Sequence, residues 1–220
     1  MTLTNLQKDL IFGTLLGDGN LQTETAGRTW RYRAIQKTEH KDYLFHKYEI
    51  LKSLCGEDTV PVEGKTFDER TGNTSYRWYF NTLTNSSLKF YGDMFYTYNK
   101  TKQKWVKDVP VNIEKFLNAR ALAYLYMDDG SLKWLGHSNA MRICTESFSN
   151  EGVKRLQNAL KNNFSITTTL TKKTLKDQTV GSPYRIAIPE KSSQAFRELV
   201  KPYLVDCMRF KVSDGNKNHL

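Results

Sequence analysis

Cysteine is scarce in this chain, and no two cysteines are close together. Cys55, Cys144 and Cys207 are spread through 220 residues without a C-x-x-C pair. That spacing excludes a finger-type zinc cluster and a disulfide framework, and it suits reduced thiols inside a cell. The four histidines, His40, His46, His137 and His219, form no H-E-x-x-H and no clustered zinc spacing. No apolar run approaches the roughly 20 residues of a membrane span. No secretory signal opens the chain. No G-x-x-x-x-G-K-S/T loop is present, so ATP is not expected as a cofactor. These absences lead us to expect a soluble intracellular protein with no membrane partner. An organelle, mitochondrion or chloroplast, and a microbial cytoplasm would both suit it.

What is abundant is positive charge. The chain carries 33 Lys and Arg against 23 Asp and Glu, a formal net charge of +10 at pH 7. A surplus of that size favours a polyanionic partner, nucleic acid before membrane.

The stretch A-L-A-Y-L-Y-M-D-D-G-S-L, residues 121–132, raises a question of charge placement. From residue 118 to 127 it reads as a buried helix, and Gly130 would end it, leaving Asp128 and Asp129 at its C-terminal tip. A carboxylate there opposes the helix dipole by roughly 0.3–1 kcal/mol. A cation or a lysine must compensate. The same pattern occurs half a chain earlier. Thr4 and Gln7 have the spacing of a capping box, apolar residues follow at helical intervals, and I-F-G-T-L-L-G-D-G closes the helix on Asp18. A single D-G is most often only a turn signal. Two, each after a similar apolar helix, indicate a duplication.

The rest of the sequence repeats in step. After each D-G come a polar stretch, a strand-like run (29–37 and 139–146) and an amphipathic helix (42–54 and 150–164). Two more strand candidates follow (59–67 with 75–82, and 165–175 with 184–188), then a helix beginning at serines (86–96 and 192–204). Helix-strand-strand-helix-strand-strand-helix, twice, predicts an α/β (α+β) chain with antiparallel sheets. The halves are 1–96 and 118–212, joined by a lysine-rich linker at 97–117 and followed by a frayed tail at 213–220. Within the strands, apolar side chains alternate with Arg31, Arg33, Arg77, Asn81 and Arg185. Arg142 and Lys172 occupy corresponding runs. Such a face can be merely the solvated side of a sheet. Its recurrence in both halves of a chain with this charge makes it a candidate DNA-facing surface, since a two-stranded ribbon fits the major groove.

If the halves pack about a pseudo-twofold axis through the two D-G helices, Asp18 and Asp129 converge. Gly13 and Gly17 on one helix, and Ala119 and Ala123 on the other, would permit close approach. Converging carboxylates repel. A hard divalent cation resolves the conflict, and Mg²⁺, which takes few carboxylates and shares substrate phosphates, suits a site of two aspartates. Glu39-His40-Lys41 has the spacing of another Mg²⁺ nuclease class, but it sits where a helix begins and no strand aspartate precedes it.

I-F-G-T-L-L-G-D-G and L-A-Y-L-Y-M-D-D-G resemble the two motif copies of single-chain LAGLIDADG homing endonucleases, and spacing and element order extend the resemblance over nearly the whole chain. The match departs at Tyr124, where the motif has glycine, and at Leu16 and Met127, where it has an acid. The acid carried by the motif's eighth position is kept in both copies, as Asp18 and Asp129. The resemblance implies two pseudo-symmetric αββαββα halves whose saddle-shaped antiparallel sheets sit in the DNA major groove. It implies Mg²⁺-dependent cleavage of both strands of a long asymmetric target by a monomer, with Mn²⁺ or Ca²⁺ able to substitute for binding, and a role in intron homing. Asp18 and Asp129 would hold the metal, with backbone carbonyls from Gly17 and Asp128. A lysine near each site would be Lys107 and Lys211, unless these are plain surface lysines. A polar residue at the end of the second strand would be Gln36 in one half and Glu146 in the other, or Lys37 and Thr145 if the register shifts by one. Two rivals share the fold: an RNA-splicing maturase that binds intron RNA, and a non-catalytic DNA-binding regulator. Retention of both acids and both lysines counts against the second.

Overall fold

The structure, a computed structural model, describes residues 2–134, 138–173 and 182–213. Each half opens with a helix that ends on the D-G motif. Helix α1 (Asn5–Leu15) begins at Thr4, whose side chain accepts from the Gln7 N–H while Gln7 reaches back to the Thr4 N–H. This is the reciprocal capping box its sequence predicts. Strands β1 (Asn20–Gln22) and β2 (Arg31–Lys37), helix α2 (Lys41–Leu51), strands β3 (Val62–Asp68) and β4 (Asn73–Asn81) and helix α3 (Ser86–Phe95) follow. After a short hairpin, β5 (Tyr96–Asn99) and β6 (Lys104–Lys107), the order repeats. Helix α4 (Ala119–Asp129), β7 (Gly130–Trp134), β8 (Ser138–Ile143), α5 (Asn150–Phe164), β9 (Thr169–Lys172), β10 (Tyr184–Ile188) and α6 (Glu190–Val200) form the second half. The two four-stranded sheets have the same antiparallel order, β1-β2-β4-β3 and β7-β8-β10-β9.

Several elements differ from their expected bounds. The polar stretch after each D-G contains a strand, because Asn20 and Gln22 pair with Arg33 and Arg31 across a ladder that tolerates polar side chains at a solvated edge. The stretch 97–117 is not an irregular linker. Tyr96 pairs with Lys107 and Thr97 with Val106 in the hairpin, and Asp108 binds the Ser149 N–H and hydroxyl and the Arg155 guanidinium. Strand β9 starts later than residue 165 because Ser165 takes a left-handed conformation (φ 57°) at the end of α5. Helix α6 begins at Glu190 rather than at the serines, capped by the extended Pro189, and Pro202 lies in the 3-10 turn beyond its end. The expected strand residues 174 and 175, His137, His219 and tail residues 214–220 lie outside the described residues.

Helices α1 and α4 lie side by side in the core. Leu10, Ile11, Leu15 and Leu16 of one and Ala121 to Met127 of the other are all buried. Their approach is close enough to require glycine. A Cβ on Gly13 would stand 2.2 Å from the Ala121 carbonyl oxygen, and one on Gly17 would stand 2.5 Å from the Asp128 Cβ. No helix among the described residues is long and apolar enough to cross a membrane.

Candidate active site and nucleic-acid face

The contact of α1 with α4 brings the two D-G turns together. The Asp18 backbone N–H donates to Asp128 Oδ2 at 3.1 Å. Gln36, at the inward end of β2, donates to Asp18 Oδ2 at 3.2 Å and lies 3.5 Å from Asp128 Oδ1. Burial and the neighbouring charges of Asp18 and Asp128 push the Asp129 carboxyl up to about 8, against the pull of Lys107 and Lys211. The three acids therefore share one electrostatic site.

Two lysines hold the helix ends. Lys107 Nζ donates to the carbonyls of Gly17 and Gly19, both at 2.8 Å. Lys211, in the last 3-10 segment (Asp206–Val212), donates to the Asp128 carbonyl at 3.1 Å and also to that of Met127. Each thus satisfies carbonyls left open at the end of its own half's motif helix, where the dipole favours a cation. Burial pushes Lys107 down to about 8, with Asp129, Asp128 and Asp18 resisting the shift; it lowers Lys211 for the same reasons. The carbonyls of Gly17 and Asp128 each accept from one of these ammonium groups.

The Asp128 side chain is placed otherwise than its neighbours. It accepts from Lys47 Nζ at 2.6 Å, and the two side chains are 0% and 1% exposed. Lys47 comes from α2 of the first half, with its ammonium 4.1 Å from the Tyr43 ring centre. Sequence reasoning missed it, although it carries a signal. Tyr43, Lys47 and Leu51 are spaced four apart on the stripe that α2 turns to the core, so a lysine interrupts an apolar face.

Glu146 is not part of this site. Strand β8 and the residues after it bury Met141, Ile143 and Thr145. Alternation turns Glu146 to the outer face, where it pairs with Arg185 and with Lys173 at 3.3 Å. By register the counterpart of Gln36 is Thr145. Ala34 opposes Phe80 in one sheet as Ile143 opposes Ile186 in the other. The Thr145 hydroxyl, however, donates to the Tyr184 carbonyl at 2.8 Å. The second half has no Gln36.

The outer sheet faces carry most of the expected contact residues. Arg33 opposes Asn81, and Lys37 opposes Arg77, with Arg31 two residues along, so all share the face away from buried Tyr32, Ala34 and Phe80. The Arg33 guanidinium lies 5.0 Å from the Tyr79 ring centre. Arg33 Nε and Asn81 Oδ1 are buried yet have no hydrogen-bond partner, a state polar groups rarely keep once a partner is bound. In the second sheet Arg142 donates to Ser131 at 2.9 Å, and Arg185 opposes Thr171. Lys172 opposes Tyr184 at the exposed end of its strand. It lines a small basic groove together with Lys173, Lys133, Arg142 and Arg185. An open groove of about 520 Å³ leads from Arg77, Lys37 and His40 down to Asp18, Gln36 and Asp128.

The donor set at the D-G turns fits a hard cation. It offers carboxylate and carbonyl oxygens, while no group of three or more His, Cys, Asp or Glu among the described residues is arranged to hold a metal alone. A cation there would complete its shell with water and phosphate oxygens, which is the habit of Mg²⁺.

The chain is similar to several known proteins in sequence and in fold. The chain is 69% identical over 220 residues to the DNA endonuclease I-ChuI of Chlamydomonas applanata, covering both chains completely. It is 27% identical over 205 residues to the cytochrome b mRNA maturase bI2 of Saccharomyces cerevisiae, covering 93% of this chain and 47% of that one. Its fold superposes on the homing endonuclease I-WcaI bound to its DNA recognition sequence with a TM-score of 0.81 at 21% identity, over 96% of this chain and 88% of the other. Residues 8–196 match the LAGLIDADG DNA endonuclease family, and the chain belongs to it.

Proposed function

We propose that this protein is a site-specific endonuclease that cuts both strands of a long asymmetric DNA target with the help of Mg²⁺. The observation that carries the reading is the meeting of one D-G acid from each half at the ends of two abutting helices, between two sheets with basic outer faces. Asp18 and Asp129 would hold the cation, with the Gly17 and Asp128 carbonyls beside them. When bound, Mg²⁺ supplies Lewis-acid polarisation of a phosphodiester and a water of lowered pKa.

The chain's own residues do the rest. Gln36 fixes the Asp18 carboxylate. Lys107 and Lys211 stand at the helix tips, positive below the pH to which burial depresses them, and can stabilise the extra negative charge of a phosphate under attack. Arg31, Arg33, Arg77, Asn81, Arg142 and Arg185 supply donors for phosphates and base edges along the sheets. Two unlike halves in one chain let a monomer read two unlike half-sites, where a symmetric dimer prefers a palindrome. Intron homing is the biological role this activity would serve.

The test is linearisation of a plasmid library carrying randomised inserts, with Mg²⁺ and with EDTA. The parent cuts a defined subset only with the metal, and Asp18→Asn and Asp129→Asn each lose at least about 100-fold in rate. Parental cutting by both variants would overturn the active-site assignment. Similarity to a maturase supports one second reading, RNA splicing. Tight binding of intron RNA with no cleavage of any DNA would favour it.

A further inference from the structure

We infer that the Asp128 side chain is a positioning group. Clamped by Lys47, it holds the turn that presents Asp18, and it has no equivalent at Asp129, so the two strand cleavages depend on it unequally. The inference rests on the nuclease reading and adds a division of labour between the two D-G turns.

Asp128 is fully engaged. Oδ1 takes the Lys47 ammonium at 2.6 Å, and Oδ2 takes the Asp18 N–H at 3.1 Å. Reaching a cation would mean giving up a buried ion pair, and breaking such a pair leaves an uncompensated charge. What the carboxylate does instead is join three segments: α2 through Lys47, the end of β2 through Gln36, and the Asp18 turn through its backbone N–H.

The other half cannot repeat this. The residue equivalent to Asp128 is Gly17, and a Cβ there would meet the Asp128 Cβ at 2.5 Å. With Asp128 in place, Gly17 has no room for a side chain. The equivalent of Gln36, Thr145, has its hydroxyl on the Tyr184 carbonyl. The Asp18 N–H is held by a side chain of the other half, whereas the Asp129 turn, which carries Asp128 and so shares the Lys47 clamp, is bonded by no carboxylate of the first half among the described residues. Stability alone does not account for the pair, because well-packed apolar residues of similar volume hold a core equally well.

The experiment compares Lys47→Met/Asp128→Ala with Lys47→Met/Asp128→Asn and the parent. Both double variants remove the ion pair without leaving one buried charge, and only the second keeps an acceptor for the Asp18 N–H. Each is melted, titrated with target DNA in EDTA, and assayed with Mg²⁺ on a target labelled on both strands. The alanine pair is expected to bind DNA like the parent but to cut one strand roughly 10–100-fold more slowly than the other, so that nicked DNA accumulates. The asparagine pair restores the parental ratio. Lys47→Met/Asp128→Gly, which copies the residue at the equivalent place, takes over if the alanine pair does not fold. A folded variant lacking the acceptor that cuts both strands at the parental ratio, or slows both equally, overturns the inference. A parent that cuts no DNA overturns the nuclease reading instead.

Discussion

Asp129 is a carboxyl that the fold holds at some cost when no cation is bound. Burial and two neighbouring acids push it up to about 8, whereas an aspartate in an unfolded chain titrates near 3.9. The folded state therefore retains a proton that the unfolded state releases, and the associated stability is present below about pH 4 and is lost as pH rises through about 8. Lys107 does not blur this window. Pushed down to about 8, it is protonated in both states until that pH is reached. We predict that in EDTA the melting temperature of the parent falls between pH 5 and pH 8 by more than that of Asp129→Asn. Adding Mg²⁺ at pH 8 should raise the parent and leave the variant nearly unmoved. Equal pH profiles would show that the carboxyl is not held up by its surroundings. Asp18 and Asp129 were legible in the sequence because an acid after an apolar helix, repeated, has few explanations. Lys47 was not, because a lysine in an amphipathic helix reads as solvated until its partner across the interface is seen. Glu146 was placed wrongly for a similar reason. A one-residue shift in a strand exchanges inside for outside, and only the pairing fixes it.

At the scale of elements, the contact between α1 and α4 sets the distance between the two D-G turns, and Gly13 sets that contact. An added methyl at Gly13 meets the Ala121 carbonyl at 2.2 Å and the Tyr124 Cβ at 2.7 Å. Backbone cannot yield as a flexible side chain can, so the helices must separate. Gly13→Ala is expected to destabilise the protein by about 1–3 kcal/mol, the usual range for overpacking, read as a lower denaturant midpoint at unchanged slope. Cleavage should fall by more than the folded fraction does, because the turns move apart. A variant as stable and as active as the parent would show that the helix contact does not set the site. Helices were the readable elements: the capping box marked the start of α1, and Gly130 follows the end of α4 at Asp129. The hairpin at Tyr96–Asn99 and Lys104–Lys107 was not readable. A lysine-rich sequence with few apolar residues gives no alternation signal, yet Trp105 packs against Trp30 at 5.1 Å between ring centres and secures it.

Over the whole molecule the +10 charge is partly offset on both outer sheet faces, by Glu24 beside Arg31 on the first and by Glu146 on the second, but not at every arginine. On the first, Arg77 donates to the Thr66 hydroxyl at 2.5 Å, a neutral partner, and keeps its charge available. On the second, Glu146 sits between Arg185 and Lys173 and offsets part of theirs. Removing one arginine from each face should then have unequal consequences. Arg77→Ala deletes one cation, so binding of the target in EDTA weakens and the slope of log K against log salt shrinks by about 1. Arg185→Ala deletes a cation and also leaves Glu146 with Lys173 alone, a carboxylate facing phosphate. It should weaken binding more than Arg77→Ala does at low salt, and the difference should close as salt screens it. Adding Glu146→Gln to Arg185→Ala should recover part of the loss. Anisotropy titrations of labelled target at several salt concentrations separate these outcomes. If the second substitution weakens binding further, Glu146 is accepting from a base rather than restraining Arg185, as a carboxylate can from the amino group of cytosine, and the charge asymmetry between the halves would have to be read as specificity instead.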